Sequence, residues 1–253
     1  MRAISGKTDA ELDQLPTKQY KQLASTAALF PDELVESALG KIPKGWEPAT
    51  VGDFIDFNPK RSLKKGTIAP YLDMKNMPTA GHLAQNVYPR EFGSGTKFIN
   101  GDVLLARITP CLENGKTAFV DFLNESEVAW GSTEYIVMRS KEGFPECLSY
   151  FMARHETFRQ FAIKSMMGTS GRQRASAEAL MQMAWIIPEK VITTEFGRIV
   201  SPFMAQIKSN GDSNKLLAEI RDSLLPKFLS GEIDLRGAAF HLKRDKQTAK
   251  AMS

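Results

Sequence analysis

A heptad repeat near the carboxyl end of the chain restricts its possible folds more than any other feature of the sequence. Between Glu195 and Leu229, residues recur alternately at steps of four and three, which places them on one face of a long α-helix. The positions of this face, which we predict to pair with another helix, are Phe196, Val200, Phe203, Ile207, Asn210, Asn214, Leu217, Arg221, Leu224 and Phe228. Such a helix is roughly 50 Å long at about 1.5 Å per residue, and one small domain cannot cover its apolar face. We therefore expect a partner helix from the amino-terminal segment, from another copy or from another protein.

Polar residues within this repeat leave its continuity open. A buried asparagine tends to fix register and orientation at a cost in stability, and Asn210 and Asn214 lie in the repeat. Gly211 costs a helix about 1 kcal/mol relative to alanine. The alternative is a turn at Gly211 between two shorter helices.

The rest of the chain divides into segments of different composition. Residues 1–46 form a predicted connector with one short helix around Thr17–Leu29, and its Pro- and Gly-containing end indicates an ordered linker across a surface. Residues 47–190 form a globular domain, 191–235 form the long helix, and 236–253 form a polar tail that we predict to be disordered.

The globular segment has the pattern of an α+β fold. Short apolar runs such as GDVLLARI, KTAFVDF and TEYIVMR alternate with Gly, Pro and Asn clusters, which predicts short strands in a mostly antiparallel sheet. A helix after Pro145 is predicted to pack on this sheet through one apolar face. That face consists of Leu148, Phe151, Met152, His155, Phe158 and Ala162. Ser176 is a suitable N-cap for a second short helix, and AWIIP is predicted to be a buried closing strand.

The composition and the amino terminus indicate a compartment but leave the class of partner open. No apolar run reaches the roughly 18–20 residues that span a bilayer, and the polar amino terminus lacks a signal-peptide core, so we expect a cytoplasmic protein without a membrane partner. The net charge of +4 permits an anionic partner such as nucleic acid without requiring one.

The sequence offers weak evidence for catalysis. Cys111 has no recognisable relation to His82, His155 or His241, so it is a poor candidate for a nucleophile. Metal-ligand spacings and phosphate-binding glycine loops are absent from the sequence. These observations argue against a standalone nuclease or methyltransferase, and we predict no catalytic residue and no metal ligand.

Asn114-Gly115, between two apolar runs, predicts a two-residue hairpin turn with both residues at positive φ. We predict that the polar residues of this hairpin face a ligand, with a solvated hairpin as the alternative. They are Arg107, Thr109, Glu113, Asn114 and Lys116.

Two basic loops could contact nucleic acid. Such loops contact phosphates through Lys, Arg, Ser and backbone N–H groups, and Gln and Arg also form paired bonds to base edges. The loop residues are Lys60, Arg61, Lys64 and Lys65 in the first loop, and Thr169, Ser170, Arg172, Gln173 and Arg174 in the second. Further candidate DNA contacts are Asn76, Lys97, Ser132 and Thr133. For each loop alone, a solvated surface is an equally good interpretation.

Taken together, five segments resemble one known family. They occur in the same order within about residues 22–235, and they are ALFPDELVESALGKIPKGWE, LARITPCLENGKTAFV, GSTEYIVMR, GTSGRQR and LLPKFLSGEI. As a set they resemble the specificity subunits of type I restriction-modification systems. Each segment alone is a weak signal.

The resemblance implies a non-catalytic DNA-recognition role. A full specificity subunit has two target recognition domains, each followed by a long helix, and the two helices pair antiparallel. Each domain recognises half of a bipartite DNA site. Modification subunits use S-adenosylmethionine to methylate adenine, and restriction subunits use ATP and Mg²⁺, so no cofactor is expected on this chain.

The sequence departs from the family pattern in having one such domain and one long helix, and so resembles the carboxyl-terminal half. It is either a half-subunit, able to associate with a second copy or another half, or a fragment of a longer chain. The rival hypothesis is a protein-assembly module built on the long helix that does not bind DNA.

Overall fold

The computed structural model describes residues 1–169 and 173–233. By its internal contacts the chain divides into two units, one comprising Met1–Phe203 and the other beginning at Met204. The predicted tail, 236–253, lies outside the described residues. The predicted domain boundaries stay a prediction.

The amino-terminal segment contains three helices and a hairpin. The helices are α1 (Arg2–Ser5), α2 (Asp9–Asp13) and α3 (Thr17–Ala27), and the hairpin consists of the antiparallel strands β1 (Leu34–Ser37) and β2 (Gly40–Pro43). Helix α3 agrees with the predicted helix around Thr17–Leu29. The segment predicted to be an ordered linker across a surface instead forms this hairpin, which reverses between the paired residues Ser37 and Gly40. The φ of 91° at Gly40 suits glycine.

The predicted α+β fold class is confirmed. The strands of the globular region are β3 (Glu47–Thr50), β4 (Ile55–Phe57), β5 (Ile68–Leu72), β6 (Tyr88–Glu91), β7 (Thr96–Phe98), β8 (Val103–Ala106), β9 (Thr117–Phe119), β10 (Ala129–Gly131), β11 (Tyr135–Ser140) and β12 (Ala184–Ile187). In the described part of the chain they form sheets of order β6-β5-β10-β7 and β4-β11-β8-β9, and β12 pairs with β3. Every pairing is antiparallel except that of β5 with β10.

A core of buried apolar residues joins the two larger sheets. It includes Leu72 and Phe98 of one sheet and Leu104, Ala118 and Val137 of the other. The central strand β8 is buried at every position, as expected for a continuous apolar run such as VLLA.

Four shorter helices accompany the sheets, and two of them replace a single predicted helix. They are α4 (Val51–Phe54), α5 (Cys147–Arg154), α6 (Glu156–Lys164) and α7 (Ala177–Met181). The predicted continuous helix after Pro145 is wrong, because His155 has an extended backbone and its Nδ1 accepts a hydrogen bond from Thr157 N–H as an N-cap. The predicted N-cap Ser176 is confirmed, since its hydroxyl accepts from Ala179 N–H.

The connection between β8 and β9 differs from the predicted two-residue turn. The two strands do pair antiparallel, but residues 107–116 between them form a longer loop of successive turns. Within the Asn114-Gly115 pair, only Gly115 has a positive φ, 72°. The longer loop is explained by Leu112, because its side chain is fully buried and the loop must pack against the protein to bury it. A tight turn would have left this side chain exposed.

Helix α8 (Lys190–Leu229) runs without interruption through Gly211. The alternative of a turn at Gly211 is therefore wrong, and one glycine does not stop a helix of this length because its cost is only about 1 kcal/mol.

Candidate nucleic-acid interface

Three polar loops that are distant in sequence meet at one place in the first unit. Thr109 N–H donates to Gln173 O at 3.1 Å, Ala175 N–H donates to Arg107 O at 2.8 Å, and Arg107 N–H donates to Glu134 O at 3.0 Å. We name residues 107–109, 132–134 and 173–175 the loop cluster. It brings together the predicted candidates Arg107, Thr109, Ser132, Thr133, Gln173 and Arg174.

An ion pair at the centre of the loop cluster joins Arg174 to Glu134. Arg174 Nη2 lies 2.7 Å from Glu134 Oε1, and Arg174 Nε lies 2.9 Å from Oε2. The backbone of Glu134 is held in turn, because its N–H donates to the Ser132 hydroxyl at 3.1 Å. Such two-bond geometry fixes the plane of a guanidinium as well as its position.

The ion pair also shifts the pKa of both partners. Hydrogen bonding from Arg174 holds the pKa of Glu134 below its ordinary value, burial opposes this shift, and the positive charges of Arg174 and Arg107 add to it. Hydrogen bonding to Glu134 raises the pKa of Arg174. The site therefore keeps both charges at neutral pH.

We expect this pair to make stability depend on pH. Because the pKa of Glu134 is lower in the folded chain than in the unfolded chain, where a glutamate titrates near about 4.3, its contribution is complete above about pH 5 and is lost as the pH falls through the folded pKa. Urea unfolding of the wild type and Glu134→Gln should therefore differ most at neutral pH and converge toward acid. The control is Glu125→Gln, an exposed glutamate, which should show no such convergence. A difference for Glu134→Gln that stays constant with pH would contradict this prediction.

The loops beside the cluster are anchored by an arginine that sequence reasoning missed. Arg154 of α5 donates to the carbonyl oxygens of Thr79 at 2.8 Å, Gly115 at 2.7 Å, Gly81 at 2.6 Å and Thr117 at 2.8 Å. Its place in an amphipathic helix gave no signal of this role, because the acceptors are backbone atoms far away in sequence.

Lys116 is positioned in a similar way. Its ammonium donates to Met74 O at 2.7 Å, in a half-buried setting. This predicted DNA contact therefore also ties the 107–116 loop to the end of β5.

The first basic loop is split between surface and interior. Lys60, Lys64 and Lys65 are exposed, whereas Arg61 turns inward and its Nη2 lies 2.9 Å from Asp102 Oδ1. The sequence predicted that all four side chains lie at the surface. It gave no sign that one of them would form an ion pair with a buried carboxylate.

The remaining candidates lie outside the loop cluster or outside the described residues. Asn76 donates from its side chain to Asn86 O at 3.2 Å, and the Lys97 ammonium lies 5.1 Å from the centre of the Phe92 ring. Asn114 and Thr169 are exposed. Ser170 and Arg172 fall in 170–172, beyond the described residues.

The predicted helix-pairing residues of α8 divide into two groups. Phe196 is half-buried, and its ring packs edge-on against Phe151 at 5.3 Å within the first unit. Further along the helix, Phe203, Ile207 and Leu217 are exposed to 66%, 45% and 61%. The other predicted positions are half-buried at Val200, Leu224 and Phe228 and exposed at Asn210 and Asn214.

Neither metal sites nor membrane spans are found in the residues described. Within 1–169 and 173–233, no group of three His, Cys, Asp or Glu side chains is arranged to hold a metal ion. The helices in the same ranges include none with the length and apolar character needed to cross a bilayer.

Comparison with known proteins gives matches along most of the chain. The chain is 26% identical over 247 residues to the HindI type I restriction enzyme specificity subunit of Haemophilus influenzae, which covers 92% of this chain and 53% of that protein. It is 27% identical over 143 residues to the EcoAI specificity subunit of Escherichia coli, covering 53% of this chain and 24% of that protein. No family model matches.

A comparison with solved structures finds a similar fold. The HsdS subunit of Thermoanaerobacter tengcongensis superposes with a TM-score of 0.52 at 20% identity, covering 75% of this chain and 49% of that one. The chain thus spans about half the length of the HindI and HsdS subunits that it matches. In sequence and in fold, it is similar to about one half of a type I restriction specificity subunit, as its five motifs predicted.

Proposed function

We propose that this chain is a DNA-sequence-recognition subunit of a type I restriction-modification complex, and that it contacts one half of a bipartite duplex site. The observation that carries the proposal is the loop cluster, in which backbone hydrogen bonds join three loops that carry two arginines, a glutamine and three hydroxyl residues. Such side chains form the hydrogen bonds that distinguish base edges in the major groove. The similarity to the HindI and EcoAI specificity subunits supports the same role.

The chemistry of such a complex would belong to partner subunits in the cytoplasm. We assign adenine methylation with S-adenosylmethionine to modification subunits, and ATP- and Mg²⁺-dependent translocation and cleavage to restriction subunits. For this chain we propose binding and docking alone.

Helix α8 is the proposed docking element. Its exposed apolar residues, among them Ile207 and Leu217, support antiparallel pairing with a second copy or with another half-subunit. Pairing would restore two recognition domains. The same exposed face supports the rival function of an assembly module, which DNA selection separates from the first.

We expect selection from a random duplex pool, with the full chain alone and with a modification subunit, to enrich a defined sequence. Gln173→Ala and Thr133→Ala should then relax the preference at individual positions, by about 1–3 kcal/mol for each lost base contact. Lys18→Ala, an exposed cation on α3, is the control and should leave the selected sequence unchanged.

Two results would count against the proposal. Failure to enrich any sequence, with or without the modification subunit, would favour the assembly module. An equal loss of affinity on all sequences would show that Gln173 and Thr133 contact phosphates instead of bases.

A further inference from the structure

One face of the β6-β5-β10-β7 sheet carries a row of aromatic and cationic side chains. The pairing register aligns Tyr88 with Tyr71, Tyr71 with Trp130, and Trp130 with Lys97 across four neighbouring strands. Directly paired residues point to the same side of a sheet, as do residues two apart, so Arg90 shares this face with Tyr88. The four strands therefore present these side chains together.

The other face of the same sheet belongs to the protein core. Leu72, Phe98 and Ala129, which alternate with the residues of the row, are fully buried in the main apolar cluster. The row accordingly lies on the outer side. Its rings form a separate small cluster in which Tyr71, Phe92 and Trp130 are buried beneath longer side chains.

Cations cover these rings. The Arg90 guanidinium carbon lies 4.6 Å from the centre of the Tyr71 ring and 5.4 Å from that of Trp130. The Lys97 ammonium lies 5.1 Å from the Phe92 ring centre. Trp130 Nε1–H donates to Arg90 O at 3.3 Å, which holds the backbone at this position. A guanidinium that stacks on a ring directs its N–H groups outward within its own plane. There, two of them can donate parallel hydrogen bonds to an oxyanion.

Carboxylates do not neutralise this face in the described structure. Arg90, Lys97, Lys64 and Lys65 make no ion pair within 4.0 Å in residues 1–169 and 173–233. The two lysines lie in the adjoining loop, which is attached to the sheet where Gly66 N–H donates to Phe92 O at 2.9 Å.

Two carboxylates, those of Asp73 and Glu91, lie beside this face without forming an ion pair with its four cations in the part of the chain that the structure describes. Asp73 accepts from Lys75 N–H at 3.3 Å. Glu91 alternates with Arg90 along β6, and its carboxylate lies beside Gly66, the residue that follows Lys64 and Lys65. Burial and then the negative charge of Asp73 raise the pKa of Tyr71. With four cations beside two carboxylates, the face keeps a net positive charge.

This face is continuous with the loop cluster. Strand β10 ends at Gly131, and Ser132 of the loop cluster follows directly. Trp130 and Ser132 are thus separated by roughly 7 Å at about 3.3 Å per residue. A duplex whose bases are contacted by the loop cluster would carry its sugar-phosphate backbone past the row.

We propose that Lys64, Lys65, Tyr88, Arg90 and Lys97, the cationic sheet face, bind the sugar-phosphate backbone of duplex DNA beside the bases contacted by the loop cluster. This inference rests on the proposed function, and it assigns affinity and sequence preference to two different surfaces. The cationic sheet face supplies affinity that is independent of sequence, because Arg90 and Lys97 cover the rings of Tyr71, Trp130 and Phe92 and so block base stacking on them. The loop cluster supplies the sequence preference.

The test compares the salt dependence of DNA affinity for the full chain and its variants on the selected duplex. Arg90→Gln and Lys97→Gln should each reduce the slope of log affinity against log salt by about 0.9, and the double variant by about 1.8. The selected sequence should stay the same. The control is the double variant Lys18→Gln with Lys21→Gln, which removes the same net charge from exposed positions of α3 and should leave the slope unchanged.

A second pair of variants guards against a loss of folding, because Arg90 also packs on rings. Lys64→Gln and Lys65→Gln alter exposed side chains only, and together they should also reduce the slope. A double variant of Arg90 and Lys97 that matches the control in slope, while the wild type still selects a sequence, would overturn this inference and leave the proposed function intact. A changed selected sequence would overturn the backbone assignment. A wild type that selects no sequence would overturn the proposed function, and the inference with it.

Discussion

Replacing Asp102 with alanine should lower the free energy of unfolding by about 3–5 kcal/mol, the cost of leaving buried charges without their partner. The Asp102 side chain is 0% exposed, and its Oδ1 accepts from Arg139 Nη1 at 2.7 Å and from Arg61 Nη2 at 2.9 Å. Its Oδ2 accepts from Ile99 N–H at 2.9 Å. Removing the carboxylate would leave two arginines and a backbone donor in a space that water reaches poorly, since Arg61 and Arg139 are exposed to only 15% and 28%.

Chemical denaturation at neutral pH measures this effect directly. Asp102→Asn keeps the shape of the side chain but loses the charge, so the free energy of unfolding of this variant should lie between those of the wild type and the alanine variant. The matched control is Asp56→Ala, because the Asp56 carboxylate is 53% exposed and lies 3.9 Å from Lys141; such exposed pairs contribute about 0–1 kcal/mol. A loss below about 1 kcal/mol for Asp102→Ala would show that the two arginines find other acceptors.

Replacing Arg154 with alanine should be the second largest change, lowering the free energy of unfolding by about 3 kcal/mol. A hydrogen bond from a charged donor contributes roughly 1.5–3 kcal/mol, and Arg154 makes four bonds of 2.6–2.8 Å to carbonyl oxygens of two separate loops. We count only the two half-buried bonds, to Gly115 and Thr117, at the lower end of this range, because the other two contacts are solvent-exposed. The guanidinium also lies 5.6 Å from the centre of the Tyr150 ring.

The geometry of the Arg154 site gives a sharper test through Arg154→Lys. Lysine keeps the charge and most of the stem, but its three donors radiate from a single nitrogen and cannot reach carbonyl groups spread around a planar fork. We therefore expect lysine to restore less than half of the lost stability in thermal or urea unfolding. Arg221→Ala is the control, because Arg221 is exposed and forms an ion pair with its neighbour Asp222; it should change stability by less than about 0.5 kcal/mol. If lysine restored the full stability, the positive charge would hold the loops, and the geometry of the hydrogen bonds would not matter.

Local patterns were sufficient to predict the class of fold and its main elements. The heptad spacing of α8 and the short apolar runs of β8 and β11 each depend on which side chains neighbours in sequence must bury, and the predicted and observed elements agree there. Where one buried residue or one cap decided the local path, at Leu112 and His155, the same patterns led to the wrong turn and a helix that was too long. The motif set carried the family resemblance because the order of several weak signals is improbable by chance.

The sequence by itself therefore determined the α+β class, the heptad pattern of the last helix and the set of polar loops from which a DNA interface could be built. Tertiary structure alone decided which of those loops meet, that Arg61 pairs inward with Asp102, and that Arg154 anchors distant carbonyl groups. It also aligned Tyr88, Tyr71, Trp130 and Lys97 into one row, through the register of strands that are far apart in the chain. The physical reason is that periodicity reports the local balance of burial and exposure, whereas pairing between distant strands and the partner of each charge depend on long-range packing, which leaves no local pattern.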